Sequence, residues 1–243
     1  MQIAEPVPEA LSLDIERWTD ALRHVGASAA HLQQAQVAAR VVAHITEDTE
    51  LTCGVLLHEA ALDATQVPTE FSAASRDVAD QLARLGDFGG NMRWEESVTP
   101  RGSQAETLRK MLLAVVSDPR LIVARIAIQL ARLRLARDVS AEDRQRLANE
   151  ARAVFAPLAH RLGVWQVKWE LEDLAFRYLE PEAYQSIAKA LAERRTDREA
   201  YIARFVAELQ ELLAAQHLHA EVQGRAKHIY SIHRKMQRKR LTL

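Results

Sequence analysis

The sequence predicts a mainly α-helical protein with one strand-helix unit near its far end. Three observations carry this. Eight glycines and seven prolines in 243 residues leave little material for turns, and the abundant Ala, Leu, Arg and Glu are good helix formers. Apolar residues recur at helical spacing through most of the chain. Only at HLHAEVQG (217–224) does the pattern shorten to a strand-like run, with Gly224 marking the turn into a last, basic helix.

The first helix is expected over 12–24, with Ser12 as N-cap, Leu13, Trp18, Ala21 and Leu22 on its inner side and Gly26 at its end. AAHLQQAQVAARVVAHITED follows with Leu32, Val37, Val41 and Ile45 in a buried stripe. The front half of LTCGVLLHEAALDA is apolar nearly all round, which implies full burial. Its Cys53 is the one cysteine of the chain, without a disulfide or thiolate-metal partner, and reads as a core residue. Residues 84–103, with Gly86, Gly89, Gly90, Pro100 and Gly102, read as a loop.

The next segment, 104–139, carries two helical stripes, Leu108 to Val115 and Leu121 to Leu133, broken at Asp118-Pro119. Its Arg125, Arg132, Arg134 and Arg137 are expected on a basic outer face. Ser140-Ala-Glu-Asp is a capped helix start. In APLAHRLGVWQVKWELEDLAFRYLE, the residues Trp165, Trp169, Leu171, Leu174, Phe176 and Leu179 read as packing residues. The alternating charges Arg161, Lys168, Glu170, Glu172, Asp173 and Arg177 are expected to make intrahelical pairs. The helix over 195–218 places Tyr201, Phe205, Leu209 and Leu212 on one face.

An apolar content of 48% with 27% charged residues suits a globular chain with a real core. No run of eighteen apolar residues exists, and the first residues lack the basic-then-apolar order of a signal peptide. A cytoplasmic protein is expected, with no membrane or DNA partner. The overall charge is −1, yet residues 224–243 hold seven Lys or Arg and no acid, leaving 25 basic against 33 acidic elsewhere. Such an end attracts an anion. With a helix from about His228, Ser231 and Lys235 share a face, and Arg225 and Lys227 lie just before the first turn. Three cations and a hydroxyl at a helix start suit a polyphosphate. Charge alone more often marks a solvated face or a non-specific nucleic-acid binder.

Residue order is more selective. The run G-R-A-K-H-I-Y-S-I-H-R-K-M (224–236) resembles the opening motif of the synthetase domain in the RelA/SpoT family, which makes and breaks (p)ppGpp. Ala226 and His233 depart from commoner residues, and neither removes a phosphate donor. The resemblance implies that Arg225, Lys227, Ser231 and Lys235 bind ATP. It also extends over the KWELEDLAFRYL connector and the QAETLRKMLLA segment.

The same resemblance bears on His58-Glu59. The family's hydrolase domain is of the HD type, holding Mn²⁺ with an upstream His, a His-Asp pair and a distant Asp. The matching positions here are Gln33, His58, Glu59 and Ile128, so one ligand of four keeps its type. The fold class implied is a degenerate HD-type helical domain over 1–145, a helical connector over 146–195, and over 196–243 the first strand-helix unit of an α/β nucleotidyltransferase-like synthetase domain. No cofactor is expected in this chain. Mg²⁺ would serve the complete synthetase, and the Mn²⁺ site is expected to be lost. The text reads as the first portion of a RelA-type enzyme, cut after its first ATP-binding helix. ATP and GTP or GDP are the implied substrates of the complete protein, with the ribosome a partner through regions not in this text. A regulatory pseudo-hydrolase module and a surviving Mn²⁺-dependent (p)ppGpp hydrolase are the other readings.

Overall fold

The computed structural model describes residues 7–63, 65–90, 118–193, 195–222, 224 and 227–240. The stripe at Leu108 to Val115 lies outside them, as does Arg225. Two compact units are present, Met1–Tyr178 and Leu179–Leu243. Among the described residues every regular element is helical.

In the first unit α1 (Glu9–His24), α2 (Ala29–Thr46) and α3 (Thr49–Ala60) form the start of the core. Ser12 is not the cap of α1, whose N-cap is Pro8. Its hydroxyl instead accepts from Arg40 Nη1 on α2 at 3.1 Å. With the earlier start, the inner stripe becomes Leu11, Ile15, Trp18 and Leu22, and Leu13 is exposed. Ser28 caps α2 and Asp48 caps α3 by accepting from backbone N–H groups three residues on. Asp48 also receives Arg120 Nη1 at 2.7 Å, which ties the start of α3 to that of α5 (Arg120–Arg134).

Helix α3 is buried nearly all round, as its composition predicts, and α4 (Ala73–Gly90) crosses it closely. The loop expected from residue 84 therefore begins later, because Val78, Leu82 and Leu85 are buried at helical spacing and hold α4 in register. Glu50, at the start of α3, accepts from the Ser72 and Ser75 hydroxyls, and these bonds hold its carboxyl below the usual range. Its contribution to stability is thus present above the unfolded carboxyl value and lost as pH falls through the folded one. Cys53 is buried, and burial pushes its thiol up to about 11. The thiolate is the reactive form. Cys53 is therefore expected to stay unmodified by a disulfide reagent at pH 8 in the folded chain and to react fully in denaturant, as read by thiol titration.

Helix α5 is buried on almost every side, from Leu121 through Leu133. Its arginines consequently do not form an outer basic face. Arg132 and Arg134 each pair with a carboxylate on another helix. Ser140 caps α6 (Ala141–Glu150), and its hydroxyl accepts from Asp143 N. A π-helical turn, Ala151–Phe155, then joins α6 to α7 (Ala156–Arg161). Pro157, which has no N–H to offer, sits in the first turn of α7, and such turns absorb one extra residue in a continuous helix. In α8 (Trp165–Leu179), Leu171 and Phe176 are fully buried, whereas Trp165 is exposed and its ring lies tilted against His160, centroids 4.5 Å apart.

The second unit holds α9 (Pro181–Glu193), α10 (Arg195–Ala215) and α11 (Ile229–Lys239). On α10 the covered side chains are Ile202, Val206, Leu209 and Leu213, while Tyr201, Phe205 and Leu212 are exposed. The stripe is set by Gly224, which lies so close to α10 that a Cβ there would come within 2.6 Å of Ile202 and 2.7 Å of Val206. Residues 219–222 run without ladder hydrogen bonds, so the strand-like pattern does not become a strand among the described residues. An extended segment needs a paired neighbour to count as sheet.

Candidate functional site

The residues singled out for phosphate lie at the start of α11. His228 is its N-cap in extended conformation and offers no side-chain cap bond to the first-turn N–H groups. Ile229, Ile232 and Met236 are half-buried, and the helix lies against α9. Lys227 and Lys235 are exposed and Ser231 is half-buried. The apolar side thus faces inward and the cations outward, and Arg234 adds a guanidinium 6.0 Å over the Tyr230 ring. Arg225 lies outside the described residues.

The second candidate site surrounds His58 and Glu59 in the last turn of α3. Glu59 is only 4% exposed. It accepts from Gln34 Nε2 on α2 and from Arg132 Nη2 on α5 at 3.0 Å. His58 Nε2 lies 3.6 Å from Glu59 Oε1. Burial, opposed by Glu59 and reinforced by Arg125 and Arg132, holds the imidazole below its ordinary pKa. Arg125, two turns before Arg132 on α5, is also lowered by burial and by its neighbour Arg132. Glu150, at the end of α6, is raised by burial and receives Arg146 Nη1 at 3.5 Å.

Of the four positions at issue, Gln33 is exposed and it is Gln34, one step round α2, that reaches the pocket. Ile128 is buried at 1% exposure as an apolar residue of the core. Among the described residues no group of three or more His, Cys, Asp or Glu side chains is placed to share a metal ion. Gln34, Arg125, Arg132 and Glu150 were not legible as site residues, since their meeting depends on separations of 25 and 73 residues along the chain for the bonded pairs.

A third polar cluster links α5 to α8. Arg134 donates through Nε and Nη2 to the two oxygens of Glu170, at 2.6 and 2.8 Å, with the side chains 10% and 5% exposed. Lys168 and Glu172 pair within α8, as the spacing predicts, but Glu170 reaches across to another helix.

A core of helices around a His-acid pair on a buried helix defines an HD-type domain. Residues 18–165 match the family described as HD domain. Curated relatives are GTP pyrophosphokinases. The protein of Photobacterium angustum (strain S14) is 50% identical over 143 residues, 59% of this chain and 19% of that one. The Escherichia coli (strain K12) protein is 51% identical over 138 residues, 57% of this chain and 18% of the relative. A probable GTP pyrophosphokinase of Mycobacterium leprae is 37% identical over 198 residues, 82% of this chain and 24% of the relative. The chain belongs to the HD domain family, in its RelA/SpoT branch. It spans about a fifth to a quarter of the length of these relatives. No described helix is long and apolar enough to cross a membrane.

Proposed function

We propose that this chain is part of a RelA-like (p)ppGpp synthetase, an enzyme that moves a diphosphate from ATP to the 3′-hydroxyl of GTP or GDP. Its HD domain has given up metal chemistry, and the start of α11 contributes one wall of the ATP site. The observation that carries the reading is the motif 224–236, in which Lys227 lies just before a helix start and Lys235 is exposed further along the same helix, while Ile229, Ile232 and Met236 are half-buried. Arg225, Lys227, Ser231 and Lys235 are the assigned ATP contacts. The relatives named GTP pyrophosphokinase support the substrate class.

Phosphoryl transfer needs a charge-neutralising metal and an acceptor held in line, so these four residues bind and orient but do not suffice for turnover. The division into a hydrolase-like part (1–145), a connector (146–195) and a synthetase start (196–243) belongs to this proposal, as do Mg²⁺ for the complete enzyme, a cytoplasmic location and a ribosomal partner through regions outside this chain. The residues at His58 do not fit a divalent cation. Such an ion takes several oxygen or imidazole donors, whereas the position offers His58 and Glu59, with Glu59 already engaged by Arg132 and Gln34.

A regulatory role for the metal-free HD domain is the second reading. The buried Arg134–Glu170 pair favours it, because it joins the HD helix α5 rigidly to α8.

ATP binding by the chain, measured by equilibrium titration, tests the first reading. Affinity is expected to fall with rising salt, and to fall about tenfold on Lys235→Ala, the worth of one charge-assisted hydrogen bond. Binding that is insensitive to both would contradict the assignment.

A further inference from the structure

The pocket at the end of α3 is filled by charges of the chain's own. A carboxylate as deeply buried as Glu59 has lost its hydration and must find a counter-charge. Gln34 supplies a neutral donor, and Arg132 supplies both a donor and the charge. The helix that brings Arg132 also carries Ile128 one turn earlier, on the same face. Ile128 offers no oxygen donor, and Arg132 places a fixed cation beside Glu59.

We infer that the Arg132 guanidinium performs the structural task of a bound cation in this HD core, joining α2, α3 and α5 through Glu59, so that the domain assembles without a metal ion. The inference deepens the proposal above and rests on its reading of the HD domain as metal-free. The charges balance without an ion. Arg132 matches Glu59, and the nearby Arg125 is faced by Glu150 as well as Glu59. A divalent cation brought beside Glu59 would meet two guanidinium groups of its own sign. The three bonded partners also come from three different helices, so the cluster fixes their mutual positions in the way a shared ion does in a metal-bearing site.

The test is thermal unfolding of the full 243-residue chain, with Mn²⁺ or with a chelator. The variants are Arg132→Met, Arg132→Lys, Glu59→Gln and the double variant Glu59→Gln/Arg132→Met. The wild-type midpoint is expected to be the same in Mn²⁺ and in chelator. Arg132→Met is expected to lower it by roughly 5–10 °C, because it strands a buried carboxylate. Arg132→Lys, which keeps the charge, should lose less than half as much. The double variant should regain most of the loss, since a neutral amide beside a thioether leaves no uncompensated charge.

If Arg132→Met does not fold, a folded double variant upholds the inference and an unfolded one overturns it. A midpoint unchanged in Arg132→Met, or a double variant whose loss is the sum of the two single losses, overturns the inference alone. A wild-type midpoint raised several degrees by Mn²⁺ overturns both it and the metal-free reading.

Discussion

Glu170→Ala is expected to cost the first unit about 3–5 kcal/mol, because it removes the bidentate carboxylate partner of the Arg134 guanidinium, whose side chain is only 10% exposed. The pair is bidentate, with both carboxylate oxygens used. Exposed pairs such as Arg146–Asp143 are worth less than about 1 kcal/mol, so burial rather than charge sets the difference. Arg134→Ala should cost a similar amount by stranding the carboxylate. Replacing both partners with apolar residues of matching size is expected to recover much of either loss, since the desolvated charge is then gone altogether. Urea unfolding reads the effect directly, and Trp165 and Trp169 on the same helix as Glu170 report it by fluorescence. A loss below about 1 kcal/mol for both single variants would show that the pair is solvated in solution.

Gly54→Ala is expected to cost about 3 kcal/mol even though alanine is the better helix former. The helix gains roughly 1 kcal/mol in propensity. Against this, the new Cβ would lie 2.3 Å from Val78 Cγ1, 2.5 Å from Val78 Cβ and 2.9 Å from the Ser75 carbonyl oxygen. Neither a Cβ nor a backbone oxygen can swing aside, so α3 and α4 must separate, and overpacking of this kind costs about 1–3 kcal/mol or more. The pattern of rescue is specific. Val78→Ala removes Cγ1 and keeps Cβ, so it should restore little, whereas Val78→Gly should relieve two of the three contacts. Denaturant midpoints of the four chains decide the matter, and a Gly54→Ala chain as stable as the parent would contradict the close approach of α3 and α4.

Much of the helical plan was legible in the sequence because it rests on local periodicity. The full burial of α3, the core position of Cys53 and the Ser140 cap follow from composition and spacing within one or two turns. What was misread depends on the other side of a contact. Tyr201, Phe205, Leu209 and Leu212 share one face by spacing, but Gly224 packs on Ile202 and Val206 of α10, and of the four only Leu209 is half-buried while the others are exposed. The glycines after residue 85 hid the continuation of α4, which is held by the buried Val78, Leu82 and Leu85 before them.

The candidate site divides in the same way. The phosphate motif is a contiguous run and could be read directly, as could the absence of a carboxylate at Ile128. The network around Glu59 could not, because Arg132 looks like one of several surface cations until α5 is seen to be buried almost all round. Glu170 was likewise counted among intrahelical pairs. Its partner Arg134 lies 36 residues earlier, and no spacing rule reaches that far.

On the proposal above, the HD domain keeps its fold with Arg132, and not a metal ion, joined to Glu59. Incubating the chain with labelled ppGpp and Mn²⁺ and resolving the products tests this most directly. No Mn²⁺-dependent loss of label from the 3′ position is the predicted result, while release of labelled pyrophosphate that a chelator abolishes would contradict it.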